Sequence, residues 1–358
     1  MEENENKTMS FMGARQPTGY GIAGTSVACA FHNLGHKITF HDIAGQAVYY
    51  NSHKEQLILE EIVNQGVMFN YDAPCVKMWH QFNMDKWIGR GKKIGWPIFE
   101  LDSFNEVEMH HLAFPDELIV CSQWAADIIE AELKRKAHVV PLGVDPSVFY
   151  PGEKERDDSK PFTFLNMGKW EVRKGHDVLA DIYNMAFRKD DNVKLVVHAP
   201  FAASEKERQD WISYYKNTKM GDSIEFLQRK LPTHKEVAQC MREHDCGIFP
   251  ARAEGWNMEL LEMMAVGKPV IALNASAQTQ YCTEDNCRLV DFEELEPAVD
   301  GIWFHGQGSW PKIDTKQMQD MADHMRAVYE NWQFNEAGVQ TGQAFSWENS
   351  AKILAEIL

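Results

Sequence analysis

No run of about 18 uninterrupted apolar residues occurs in this 358-residue chain, which excludes a transmembrane helix from the expected architecture. The first ten residues, MEENENKTMS, have no apolar core, so no secretory leader is expected. Cysteine is sparse, odd in number at seven and without a Cys-x-x-Cys spacing, which argues against a disulfide framework and predicts a reduced, cytoplasmic setting. Metal-binding patterns are missing as well. There is no HExxH, no Asp-x-Asp pair and no Cys/His spacing suited to zinc, and the adjacent His110 and His111 would project about 100° apart on a helix. No metal is expected. Positive charge is also short: 36 Lys and Arg face 53 Asp and Glu, a net charge of −17 that makes the average surface repel polyanions.

What is present is an alternation of strand and helix patterns, which implies parallel sheets covered by helices on both faces. The strand candidates of the first half are SFMGA, KITFHD, CVKMWH, GWPIFE, ELIVCS and AHVVPL. Helices are expected after Gly21, around Glu55 to Gln65, and after Ser122, a good N-cap. The second half offers FTFLNM, VKLVVHA, SIEFLQ, CGIFPA, KPVIAL and CRLVDF, with helices over Gly175–Phe187, Ser204–Lys216, Thr233–His244 and Met258–Val266. The charged, proline-bounded segment from Asp145 to Pro161 reads as a linker. At this length two domains are the natural division, residues 1–150 and 151–333.

The most informative segment is RAEGWNMELLEMMAVGKPVIA, in which Glu254 and Glu262 stand with seven residues between them. Glu254 falls in a loop before a helix N-terminus and Glu262 about two turns along that helix. Free N–H groups at such an end attract anions. A phosphate there, with hydroxyls on either side, suits two carboxylates and one helix end. The apolar neighbours of Glu262, namely Leu260, Leu261, Met263 and Met264, predict a buried helix on which a carboxylate needs a partner.

This segment resembles the donor-site motif of the retaining glycosyltransferases of family 4. Three further segments support the resemblance in that family's order: PTGYGIAGTSVACAFHNLGHKITFHD, then ELIVCSQWAADII with VVPLGVDPSVFYP, then FLNMGKWEVRKGHDVLADI. It implies an α/β fold of the GT-B type, two doubly wound Rossmann-like domains facing a central cleft. The N-terminal domain would be the acceptor side, the C-terminal one would bind the nucleotide-sugar, and a helix at about 334–358 would pack back on the first. It further implies a retaining, metal-independent hexosyl- or pentosyltransferase that needs no cofactor. The donor would be a nucleoside diphosphate-sugar, with a UDP-sugar favoured, and the acceptor a glycan or small molecule.

By the same resemblance Glu254 reads hydroxyls of the transferred sugar and Glu262 the ribose hydroxyls, while Gly255, Trp256, Asn257 and Met258 line the donor. Glu259 reads as a rim residue. Lys169 and Lys174 flank a loop joining a strand end to a helix start, where both ammonium groups can meet a diphosphate. The family usually has arginine at the position of Lys169, and Arg173 is expected to supply the missing fork. Gly19, Gly21 and Gly24 form a Gly-x-Gly-x-x-Gly string expected to make a loop against the diphosphate or sugar. His80, at a strand end, falls where the family places a histidine touching the donor sugar or acceptor hydroxyl, and a structural histidine is an equal reading. Glu100 and Ser122 are further strand-end groups.

Three alternatives stay open at this stage. The glycine string taken alone also fits a dinucleotide-binding loop, with Asp42 as the ribose ligand. The basic segment DKWIGRGKKIGW, with Lys86, Arg90, Lys92 and Lys93 between Trp87 and Trp96, is either a solvated loop or an acceptor lip. As a lip it would allow DNA carrying hydroxymethylated bases as the acceptor. A non-catalytic nucleotide-sugar binder is the third.

Overall fold

The computed structural model describes residues 6–45, 53–227 and 231–358. They form two compact units, one of Met1–Asp145 with Ala344–Leu358 and one of Pro146–Gln343.

The first unit runs β1 (Thr8–Gly13), α1 (Gly19–Asn33), β2 (Lys37–Asp42), α2 (His53–Asn64), β3 (Cys75–His80), β4 (Lys93–Ile98), α3 (Glu106–Leu112), β5 (Glu117–Val120), α4 (Gln123–Leu133) and β6 (His138–Val139). Its six strands lie in the order β2-β1-β3-β4-β5-β6, and all their pairings are parallel. A sheet covered on both faces selects continuous apolar runs, and β1 is accordingly buried at every position after Thr8. Phe11 of β1 stacks on Phe40 of β2 at 5.5 Å. The strand order reverses between β1 and β3, so the crevice for a ligand opens at the carboxyl ends of those two strands. Ser122 caps α4 as expected, accepting from the Ala125 N–H at 3.2 Å.

The glycine string corrects one expectation. Gly19, Gly21 and Gly24 are not a loop before the helix; they lie inside α1, which begins at Gly19. The chain turns so sharply before the helix that a Cβ on Gly21 would lie 1.9 Å from the Gln16 carbonyl oxygen. Asp42 is committed to Arg15, Oδ2 to Nε at 2.9 Å, and to the Ala44 N–H. The dinucleotide reading thereby loses both its loop and its ribose ligand.

The second unit begins with Pro146 to Pro161, which has neither helix nor strand. Arg242 holds this stretch, donating to the Val148 carbonyl at 3.2 Å and lying 4.1 Å from the centre of the Tyr150 ring. There follow β7 (Phe162–Met167), α5 (His176–Ala186), β8 (Val193–His198), α6 (Glu205–Lys216), β9 (Ile224–Phe226), α7 (His234–Arg242), β10 (Cys246–Phe249), α8 (Met258–Ala265), β11 (Val270–Leu273) and β12 (Arg288–Val290). The parallel order is β12-β11-β10-β7-β8-β9. Alternate residues Phe162, Phe164, Leu195 and Val197 pack with Leu179, Ile182 and Tyr183 of α5 into the core. Here the order reverses between β7 and β10, and the loops leaving these two strands are Gly168–Gly175 and Pro250–Asn257.

Helix α3, the antiparallel hairpin of β13 (Leu295–Val299) and β14 (His305–Pro311), and α9 (Thr315–Glu330) had no counterpart in the sequence reading. The terminal stretch expected as one helix is two, α10 (Glu336–Ala344) and α11 (Trp347–Ile357). Residues 334–343 stay with the second unit, where Phe334 covers Gly267 and Asn335 donates to the Asn286 carbonyl at 2.8 Å. Only the chain from Ala344 joins the first unit. There α11 packs against α1, and Ser350 donates to the Pro141 carbonyl at 2.6 Å.

Candidate functional site

The loop after β7 makes a 3-10 turn over Val172–Lys174, and Gly175 then adopts φ +79° before α5 starts. Only glycine fits there, because a Cβ would stand 2.2 Å from the Pro250 carbonyl oxygen. The close contact brings the loops after β7 and β10 together. Arg252 ties them further: its N–H donates to the Arg173 carbonyl at 2.8 Å, and its guanidinium takes Asp177 in two bonds of 2.8 Å.

Between the two loops lies a chain of alternating charges. Glu254, only 5% exposed, sits with Oε1 2.7 Å from Lys174 Nζ and Oε2 3.0 Å from Arg173 Nη1. Arg173 turns the rest of its fork inward, to Glu171 Oε2 at 2.8 and 3.1 Å and to the Ala253 carbonyl at 2.6 Å. Glu259 Oε2 is 3.7 Å from Lys174, and Lys169, half exposed, is 3.8 Å from Glu171. Burial alone would raise the Glu254 carboxyl, but Lys174 and Arg173 outweigh it and hold the group below the usual carboxylate range. Burial likewise opposes the Lys174 charge, and Glu254 with Glu259 overcomes it, leaving that ammonium raised and charged. Beneath the loop, His176 is buried against the Tyr215 hydroxyl at 2.8 Å; burial first and the Lys174 charge second push it down to about 3.

Helix α8 begins with Asn257 at φ 67° and ψ 69° and no side-chain cap, so the first-turn N–H groups are left to other partners. The Asn257 amide donates to Gln278 at 2.7 Å, and the Tyr281 hydroxyl bonds the Trp256 and Asn257 carbonyls at 2.9 and 2.7 Å. Gly255 and Trp256 are buried, the indole packing on Tyr281 at 5.0 Å, while Met258 is half-buried in the first turn. The Glu254 backbone is fixed on the far side, its N–H donating to Ser276 Oγ at 2.9 Å. One helix face further on, Glu262 is buried with no hydrogen-bond or ion-pair partner among the described residues. Burial, then the charge of Glu259, raises its carboxyl well above the ordinary range.

The structure thus brings Glu254, Lys174, Glu259 and Lys169 into one network around the two loops. Arg173 is there with a different role from the one expected. Its fork is consumed by Glu171 and Glu254, so it positions the glutamate and does not offer a bidentate face to a ligand. Glu171, Arg252, Ser276 and Tyr281 hold the site and were not anticipated. Only Arg252 carried a signal, an arginine two residues before the first motif glutamate.

In the first unit, His80 ends β3 and Glu100 lies half-buried just beyond β4. The lip expected from Lys92, Lys93 and Trp96 is corrected. Lys92 and Lys93 stand at the amino end of β4, about 20 Å of strand away from its carboxyl end. Lys92 pairs with Glu117 at 2.6 Å, Arg90 pairs with Asp72, and the Lys93 N–H donates to Asp116. Trp96 is fully buried because β4 runs through the middle of the sheet. Among the described residues no helix is long and apolar enough to cross a membrane, and no group of three His, Cys, Asp or Glu side chains could hold a metal ion.

Two doubly wound, Rossmann-like units, each with its crevice at a strand-order reversal, define the GT-B class of fold. Over 98% of this chain and 98% of the other, the fold matches sucrose-phosphate synthase of Thermosynechococcus elongatus with a TM-score of 0.69 at 16% identity. It also matches Anabaena HepE in complex with UDP and glucose, with a TM-score of 0.68 at 13% identity over 98% of this chain and 99% of that one. Residues 161–302 match the family model of the glycosyl transferases group 1, so the second unit contains a domain of that family. An uncharacterized glycosyltransferase of Methanocaldococcus jannaschii is 32% identical over 158 residues, 44% of this chain and 40% of that relative. The match therefore spans well under half the relative's length.

Proposed function

We propose that this chain is a retaining glycosyltransferase that moves a sugar from a nucleoside diphosphate-sugar, a UDP-sugar in the first instance, to a hydroxyl of a glycan or small molecule. The observation that carries this reading is Glu262, a buried carboxylate without a protein partner on the helix that starts at the Glu254 loop. An unpartnered buried carboxylate is costly, and a ribose diol supplies the two donors it lacks. The UDP held by Anabaena HepE, a protein of the same fold, supports a UDP-sugar as the first donor to try.

In this reading the diphosphate lies at the uncapped start of α8, with Lys174 and the exposed Lys169 supplying positive charge as the leaving group departs. Glu254 accepts from hydroxyls of the transferred sugar. Its two cations make it a poor nucleophile, which favours attack on the face the diphosphate leaves. The bond from the anomeric carbon to the phosphate oxygen breaks, the bond to the acceptor oxygen forms on the same face, and the acceptor proton passes to the departing phosphate. Arg90 and Lys92 are already matched by acidic neighbours, so nothing comparable favours DNA as the acceptor.

A thermal-shift screen of UDP-, GDP- and ADP-sugars, followed by product detection against a pool of glycans and small hydroxyl compounds, tests the proposal. One donor should stabilise the protein, and Glu262→Ala should remove that stabilisation. The absence of a shift with every donor would overturn it, and a shift without turnover would make the protein a binder.

A further inference from the structure

The helical spacing of α6 puts Glu207, Asp210, Trp211 and Tyr214 on one face. That face is one wall of a cavity of about 320 Å³ in the second unit. The loop segment from Trp170 to Val172, between Lys169 and Lys174, forms another wall, and the tip of the β13–β14 hairpin, with Asp300 and Trp303, a third. The volume falls within the range of small-molecule sites, about 300–1,000 Å³.

Three tryptophans give the cavity flat apolar surfaces. Trp170 is buried, and Trp211 stacks on it at 6.2 Å with an 11° interplanar angle. Trp303 is 63% exposed. Leaving so much indole in water is unfavourable, yet the tip that carries it is fixed, because Asp300 Oδ1 accepts from the Ile302, Trp303 and Phe304 N–H groups at 2.9, 2.8 and 2.8 Å. Glu171, Glu207, Asp210 and Asp300 line the walls, and among the described residues that do so there is no lysine or arginine. Arg173 balances Glu171 and Lys206 balances Asp210, so Glu207 and Asp300 are the two left without a cation among the described residues. The Trp170 indole N–H is buried and has no hydrogen-bond partner among the described residues.

We infer that this cavity is a binding site for a short uncharged glycan, separate from the donor site and joined to it through the loop that carries Trp170. A pyranose has an apolar face of C–H groups that packs on an indole ring. The hydroxyls around its edge donate to carboxylates and accept from an N–H. Uronate, sulfate or phosphate groups would be repelled by the unbalanced carboxylates. A quaternary ammonium suits the aromatic faces and the charge, but it has no proton to give the carboxylates and nothing to accept from an indole N–H. The site itself does not rest on the function proposed above. Its use does: a transferase would hold part of a glycan acceptor there, beside the loop of Lys169 and Lys174.

An array of uncharged and acidic oligosaccharides probed with the full chain, followed by tryptophan-fluorescence titration of the best binder, tests the site. We expect uncharged oligosaccharides to bind, and Trp303→Ala, a change at an exposed position, to weaken that binding about tenfold, the order of one lost aromatic contact. Trp303→Phe should recover most of the affinity. Binding to no uncharged oligosaccharide would overturn the inference, and so would binding to acidic ones alone or a fluorescence response to choline chloride alone. Equal affinity in Trp303→Ala and the wild type would overturn the location. The thermal shift given by a nucleoside diphosphate-sugar should be the same in Trp303→Ala as in the wild type; its loss would put Trp303 in the donor site and overturn the separation of the two. Glycan binding in a protein that no donor stabilises would leave this site standing and count against the proposed function instead.

Discussion

Lys174 and Glu254 meet at 2.7 Å although they follow different strands, β7 and β10, and two further strands of the sheet, β8 and β9, lie between those strands in the chain. The pair is buried, and Arg173 completes the neutralisation of the carboxylate from the other side.

Replacing Glu254 by Gln should do two things at once. Transfer should fall by about a hundredfold or more, the usual cost of losing a preorganised charge. Stability should fall as well, because the two buried cations would lose their counter-charge, at a cost of about 3–5 kcal/mol. Thermal denaturation beside initial-rate assays measures both, and a wild-type melting temperature would show that the cations rearrange freely.

Glu262→Gln should behave in the opposite way. Its carboxyl is raised in the fold by burial, so above the unfolded-state pKa the unfolded chain releases this proton first, and stability falls as pH rises through the window up to the folded value. The amide should therefore stabilise the ligand-free protein at neutral pH, with the gain vanishing below about pH 4, while weakening donor binding. Melting curves at two pH values and donor titrations check this; destabilisation at neutral pH would mean the carboxylate has a partner.

Asn257 occupies the left-handed region at φ 67° and donates to Gln278. Asn257→Ala should cost about 2–3 kcal/mol, combining the backbone penalty with a lost hydrogen bond. Asn257→Gly should cost less, because glycine keeps the backbone. Urea denaturation of both variants tests the order.

The low pKa of about 3 at His176 comes first from burial and then from Lys174. Because the folded value lies below the unfolded one, His176 contributes stability that is lost as pH falls from the unfolded value near 6.5 toward about 3. Its ring resonances should not titrate between about pH 8 and pH 5, where an ordinary histidine would. A midpoint near 6.5 would mean that water reaches the ring.

Much of the fold was legible because its cues are local. FTFLNM is β7 residue for residue, and Thr233 with Glu236 forms the capping box that starts α7. The hairpin β13–β14 was not legible because its largely exposed strands alternate weakly, whereas α9 did carry a local cue, the capping box of Asp314 and Gln317. At the site, the pairing of Glu254 with Lys174 had a motif behind it. The capture of Arg173 by Glu171 did not, since two residues that neighbour each other in a loop carry no periodicity that reveals which way they face. Trp96 failed for a related reason: a tryptophan beside lysines looks like a surface until the strand's place in the sheet is known.

The return of the chain at Ala344 also orders the events of synthesis. The second unit is one continuous segment, whereas the sheet-forming part of the first waits for α11, which is encoded after the whole of the second, to cover α1. On the ribosome the later-encoded unit can be complete while the earlier one still lacks its closing helix. A chain interrupted before α11 would thus be damaged in the domain that was made first.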